Sequence, residues 1–160
     1  MELKTVEIKI PEGCNVILGQ AHFIKTAEDL YEVMVNSSAG VKFGLAFSEA
    51  SQDCLVRSEG NEESLIKLAQ QALLDLGCGH SFIIFLKDAF PVNFLPAIKN
   101  VPEVVGIFCA TANPIQVVVT RNELGGAILG VIDGFAPKGI EDQNHKQIRK
   151  QFLRDIGYKL

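Results

Sequence analysis

Between Leu3 and Ile10 the residues Lys4, Val6, Ile8 and Ile10 alternate with Leu3, Thr5, Glu7 and Lys9, a period of two that predicts a half-buried strand ended by Pro11 and Gly13. A short apolar run, Val16 to Leu18, leads into a loop. From about Ala27 to Asn36 the spacing turns helical, with Leu30, Val33 and Met34 on one face and Ser37, Ser38 and Gly40 at the end. Val41 to Phe47 predicts a strand in which Gly44 marks a bulge or a close backbone approach. Ser48 to Asp53 reads as a loop, Cys54 to Arg57 as a strand, and Gly60 as a turn before Asn61 caps the next helix.

That helix, Glu62 to Leu76, turns Leu65, Leu68, Ala69, Ala72, Leu73 and Leu76 inward, and Gly77 is placed to stop it in the left-handed conformation. The run SFIIFL from Ser81 is so densely apolar that it predicts burial on both faces, the habit of parallel-type strands. Pro91 opens a short helix carrying Phe94, Leu95 and Ile98, limited or kinked by Pro96. Val104 to Cys109, Ile115 to Thr120 and Ala127 to Ile132 are further strands. A last helix, Asp142 to Ile156, is expected to bury Ile148, Phe152 and Ile156 before Gly157 stops it. Strands and helices in this order predict one α/β domain over residues 1–160, a mixed β-sheet with helices packed on it. No internal repeat is visible.

Composition agrees with a single core: 160 residues, 48% hydrophobic and 21% charged. The net charge of -4 argues against a general nucleic-acid binder, which needs a basic surface to release counterions. Cys14, Cys54, Cys78 and Cys109 are far apart and form no C-x-x-C pair, so they read as buried free thiols of a cytoplasmic protein. The charged, alternating start predicts no signal peptide. Pro102, Glu103, Asn113 and Pro114 interrupt the longest apolar region, so no membrane span is expected.

The densest candidate chemistry lies in NVILGQAHFIKTAEDLYE, from Asn15 to Glu32. A helix start carries unpaired N–H groups and a positive dipole end, where anions settle. His22 offers a nucleophilic nitrogen and Lys25 a positive charge just before Thr26 begins the helix, an arrangement able to hold a phosphate. The plainer reading makes Thr26 an ordinary N-cap, with Glu28 and Asp29 already filling the first turn with negative charge. Asn113 and Gln116 could read a purine edge through their amides, or belong to a plain turn. Glu49 and Arg57 suit a ligand or a surface ion pair. His80 follows a helix C-terminus, where the dipole repels phosphate, but it could line a pocket from across the sheet. Asp133 ends a strand, where a carboxylate suits metal binding or general base work, or simply opens an Asp-Gly turn. Gly77 and Gly79 lack the third glycine and the following helix of a dinucleotide loop, and no G-x-x-x-x-G-K-[ST] sequence is present. His145 is given no role, and no metal ligands are assigned.

Several long blocks carry a resemblance. NVILGQAHFIKTAEDLYE, KFGLAFSEAS with LVRSEGN, GHSFIIFL with FPVNFLPAIKNVPEV, IFCATANPIQVVV, and GVIDGFAP with FLRDIGYKL resemble the conserved family of archaea and thermophilic bacteria described as adenosine-specific kinases. The resemblance spans nearly the whole chain. It implies a trimer-based oligomer, a trimer or a dimer of trimers, that binds adenosine, AMP and ATP and transfers phosphate to adenosine. On that footing His22 is expected to accept the phosphoryl group, with Lys25 and the helix at Thr26 stabilising it. Asn113 and Gln116 would recognise adenine, while Glu49, Arg57, His80 and Asp133 would complete the pocket. Mg2+ is expected only as the usual companion of nucleotide phosphates. A nucleotide sensor without turnover and an oligomeric assembly protein are the alternatives.

Overall fold

The computed structural model describes residues 2–160. In chain order the elements are β1 (Glu2–Ile8), β2 (Cys14–Ala21), α1 (Thr26–Ser37), β3 (Lys42–Ser48), β4 (Val56–Gly60), α2 (Glu63–Leu76), β5 (Ser81–Lys87), α3 (Leu95–Lys99), β6 (Val104–Thr111), β7 (Ile115–Arg121), β8 (Gly126–Asp133) and α4 (Gln143–Asp155). A short 3-10 turn, Pro91–Asn93, precedes α3.

The α/β domain with helices packed on its sheets forms as the pattern predicts, but the strands divide between two sheets rather than one. Five strands run in the order β4-β3-β5-β2-β6 and three in the order β1-β7-β8. All pairings between these strands are antiparallel, and the one parallel pairing among the described residues is the isolated bridge between Cys78 and Gly126. The apolar density of SFIIFL therefore records two covered faces rather than strand direction. On β5, Phe82, Ile84 and Leu86 point toward α1 and α3, where they meet Leu30, Met34 and Ile98. Ile83 and Phe85 point the other way, toward Leu65, Leu73 and Leu76 of α2 and toward Val117 and Val119 of the small sheet. The large sheet is thus the middle layer of three, and alternating side chains serve two cores.

Local sequence explains the tightest contacts. A Cβ on Gly44 would overlap the backbone of Leu65 and Ile66, so the missing side chain lets α2 approach β3, and the pairing passes through this position without a bulge. Gly77 ends α2 with φ 59, the left-handed stop read from the sequence. Arg121 caps the same helix end from β7, its guanidinium donating to the carbonyls of Asp75 at 2.7 Å and Leu76 at 2.9 Å.

Four expectations need correction. The terminal helix forms, but it buries none of its residues, and Ile148 and Phe152 stand more than half exposed. Periodicity identified the apolar face and could not say that this chain covers it only in part, with Phe152 and Ile156 bordering a groove beside Pro91, Val92 and Leu95. The strand expected over Cys54 to Arg57 lies at Val56–Gly60, because the left-handed residues Gln52 and Cys54 lengthen the preceding turn. Cys54 is exposed, whereas Cys14, Cys78 and Cys109 are buried, and all four are free. Asn61 does not cap α2; its side chain bonds to Phe43 N–H and the Val41 carbonyl, tying the turn to β3, and Glu62 takes the cap position.

Candidate functional site

Antiparallel pairing decides which loop residues become neighbours. The end of β3, the start of β5, the end of β2 and the start of β6 lie side by side: Phe47 opposite Phe82, Gln20 opposite Ser81, and Ala21 opposite Val104. Just beyond those strand ends sit Glu49, His80, His22 and Glu103. Backbone bonds continue the sheet through this row. His80 N–H donates to the Ser48 carbonyl at 2.8 Å, Ala21 N–H to the His80 carbonyl at 2.9 Å, and His22 N–H to the Glu103 carbonyl at 2.9 Å. Five strands at about 4.8 Å spacing place these groups along roughly 20 Å of one sheet end.

His22 is exposed. The following turn, with Phe23 at φ 78, carries the chain into α1. Thr26 is buried and is not the N-cap. Its hydroxyl donates back to the Phe23 carbonyl at 2.7 Å and the His22 carbonyl at 3.2 Å, so it holds the histidine loop rather than facing a ligand. Lys25 occupies the cap position without a side-chain cap bond. The amides of Thr26 and Ala27 are taken by the Phe23 and Ile24 carbonyls, which leaves the helix head less open to an anion than the sequence predicts.

Lys25 is also less free than expected. Its ammonium lies 2.9 Å from Glu103 Oε1 and 2.9 Å from Asp29 Oδ2. Glu103, and then Asp29, hold the ammonium well above its usual range, while Lys25 lowers the Asp29 carboxyl. Glu103 is buried, and its second oxygen has no hydrogen-bond partner. Nothing in the sequence marked it: a glutamate after Pro102 reads as a turn residue, and only the fold of α1 over the sheet buries it.

At the other end of the row Glu49 accepts from Leu55 N–H at 2.9 Å and from Arg57 at 3.0 Å. Those two donors, the backbone N–H first, lower its carboxyl pKa. The His80 ring stacks on Phe47 with centroids 5.9 Å apart, and its φ of 57 is a left-handed position. Beneath Glu49 and Gly79 a cleft of about 480 Å³ opens between the two sheets, lined also by Gly77, Arg121, Asn122 and Gly126. That volume is within the range of small-molecule sites.

The structure therefore brings together His22, Lys25, Thr26, His80, Glu49 and Arg57. It does not bring Asn113, Gln116 and Asp133 to them within one chain, a correction to the single pocket expected. Thr111 pairs with Val16 and Val104 with Ala21, so Asn113 lies at the far end of β6, roughly 25 Å from Glu103 at 3.3 Å per residue. There Asn113 donates to Asp133 at 3.1 Å, and Gln116 sits exposed on β7 opposite Glu7. The third histidine, His145, lies in the first turn of α4, its N–H donating to the capping Asp142 carboxylate at 2.8 Å and its ring 2.7 Å from the same oxygen.

The ion pairs set a pH dependence. Asp29 and Glu49 are depressed carboxyls, so their stabilisation is complete above the ordinary carboxylate pKa of about 4 and is lost as pH falls through their lower folded values. Raised Lys25 loses its share only at strongly alkaline pH. Melting temperature should stay level from about pH 5 to 8 and fall below about pH 4; a decline between pH 6 and 8 would contradict this assignment.

The chain matches the family model described as adenosine specific kinase over residues 6–159. It is similar to the crystal structure of PH1918 protein from Pyrococcus horikoshii OT3, with 41% identity, 99% of this chain and 98% of that chain covered, and a TM-score of 0.95. No curated protein matches it.

Proposed function

The chain belongs to the adenosine specific kinase family, and from that premise we propose that it phosphorylates adenosine with ATP as donor, through His22. The observation that carries this reading is the row of His22, Lys25, His80 and Arg57 at one end of the large sheet, with His22 exposed, Lys25 three residues after it and Arg57 three strands away. A neutral imidazole nitrogen of His22 attacks the γ-phosphorus of ATP, and the bond to the bridging oxygen breaks as ADP leaves. An adenosine hydroxyl then attacks the same phosphorus. The P–N bond breaks, the hydroxyl proton is taken up by the released imidazole or by water, and AMP is formed. Labelled phosphate from ATP should appear in AMP when adenosine is present, and its absence would refute transfer.

Within one chain the nucleoside is assigned to the cleft beneath Glu49 and Gly79, where Arg121 and Asn122 supply polar groups. Asn113 and Gln116 reach a ligand at His22 only from a neighbouring copy. A trimer-based assembly also gives α4 its cover, since Phe152 and Ile156 border an apolar groove with Pro91, Val92 and Leu95. Phe152→Glu should shift the melting temperature of the separated chain only slightly, since the ring is more than half exposed, while lowering the mass found by light scattering. An unchanged oligomer mass would remove α4 from the interface. No helix among the described residues is long and apolar enough to cross a membrane, and the free thiols fit a cytoplasmic setting.

A second reading, an adenine-nucleotide sensor without turnover, is favoured by the commitment of Lys25 to two carboxylates. Ligand-dependent thermal stabilisation without labelled AMP would select it.

A further inference from the structure

Building on the nucleotide reading above, we propose that Asp29 and Glu103 form the seat for the divalent cation that a nucleotide polyphosphate carries, and that the Lys25 ammonium occupies this seat until the polyphosphate draws it away. Two carboxylate oxygens converge on one cationic point, each 2.9 Å from Lys25 Nζ. The ammonium is shared between two carboxyl side chains, and that of Glu103 is only 4% exposed. The second oxygen of that carboxylate is buried and accepts no hydrogen bond among the described residues. A buried polar atom without a hydrogen bond is costly to keep, and native proteins hold few of them.

A divalent cation satisfies what the ammonium leaves open. It can draw both carboxyl groups to one point, and it prefers hard oxygen ligands. Among the described residues no three histidine, cysteine or acidic side chains gather as metal ligands, so the protein alone builds no cage. Two carboxylates completed by phosphate oxygens and water is the usual way magnesium is held at nucleotide sites. The positive end of the α1 dipole opposes a bare cation here, which further couples the cation to its phosphates. Lys25 can leave: its side chain is half exposed and flexible, and a phosphate at His22 offers it a partner. Position links the seat to the acceptor, because the Glu103 carbonyl holds the His22 N–H at 2.9 Å.

Manganese serves as the probe, with ATP binding measured by calorimetry in Mn2+ and in EDTA, and Mn2+ binding without nucleotide measured by electron paramagnetic resonance. Wild type should bind ATP at least about 10-fold tighter with Mn2+, an ordinary coupling between two ligands. Asp29→Asn and Glu103→Gln, first checked for native melting, should retain ATP binding in EDTA and lose the gain. Lys25→Met should bind Mn2+ alone more tightly than wild type, which a purely structural clamp would not produce. A gain that survives in both carboxamide variants, or a Lys25→Met protein that takes up no additional Mn2+, overturns the seat. ATP binding in EDTA with no cation effect refutes the seat alone, whereas absence of ATP binding under either condition refutes the nucleotide reading with it.

Discussion

Replacement of His22 by alanine is expected to abolish the acid-labile phosphoryl adduct formed with ATP and to lower transfer to adenosine by about 10³-fold or more, the scale of losing a covalent nucleophile. The fold offers no ready substitute. His80 is packed against Phe47 at a left-handed backbone position, with its carbonyl and N–H both used in the sheet. His145 belongs to α4 and is held by Asp142. Intact mass at alkaline pH, with and without adenosine, reads the outcome: an adduct in wild type that adenosine discharges, and none in His22→Ala. An adduct that persists in the variant would move the role to another histidine.

The largest stability effect is expected at Gly44. Alanine there places a methyl closer than 3.0 Å to the Leu65 carbonyl carbon and the Ile66 nitrogen. Those are backbone atoms of α2, which no rotamer change can move aside. The helix must lift from β3, loosening Leu65, Ala69 and Leu73 from the inner core. Overpacking of this kind costs about 3 kcal/mol. For a domain of this size that predicts a melting temperature lower by roughly 6–12 °C. Gly40→Ala is the control, since nothing lies within 4 Å of a Cβ there, and it should shift stability by less than about 0.5 kcal/mol. Equal melting of the two variants would refute the close helix-strand approach.

The close approach was legible in the sequence because a glycine weakens an apolar strand such as VKFGLAF unless the space of its missing side chain is used by a neighbour. So was α2, whose six inward residues repeat at helical spacing and whose stop is a glycine. Other features depended on pairings that local pattern does not encode. Dense apolar strands look alike whether their neighbours run parallel or antiparallel, so the division into two antiparallel sheets was not visible. The face of α4 was read correctly as apolar, but the chain covers it only in part, beside Pro91, Val92 and Leu95. The site divides in the same way. His22 and Lys25 are close in sequence and stood out as a pair. Their neighbourhood with His80, Glu49 and Arg57 exists only because β2, β5, β3 and β4 end in one row. Asn113 and Gln116 had suitable chemistry, yet the length of β6 separates them from that row. Glu103 carried no signal at all, since burial of a charge beside a proline turn is a property of the assembled layers.

The most direct test uses the imidazole resonances of the three histidines during titration with adenosine and with AMP. Binding at the sheet end predicts that the His22 and His80 signals move together and saturate while the His145 signal stays in place. Movement of His145 alone, or saturable binding that leaves His22 and His80 unchanged, would contradict the assignment of this row as the nucleotide site.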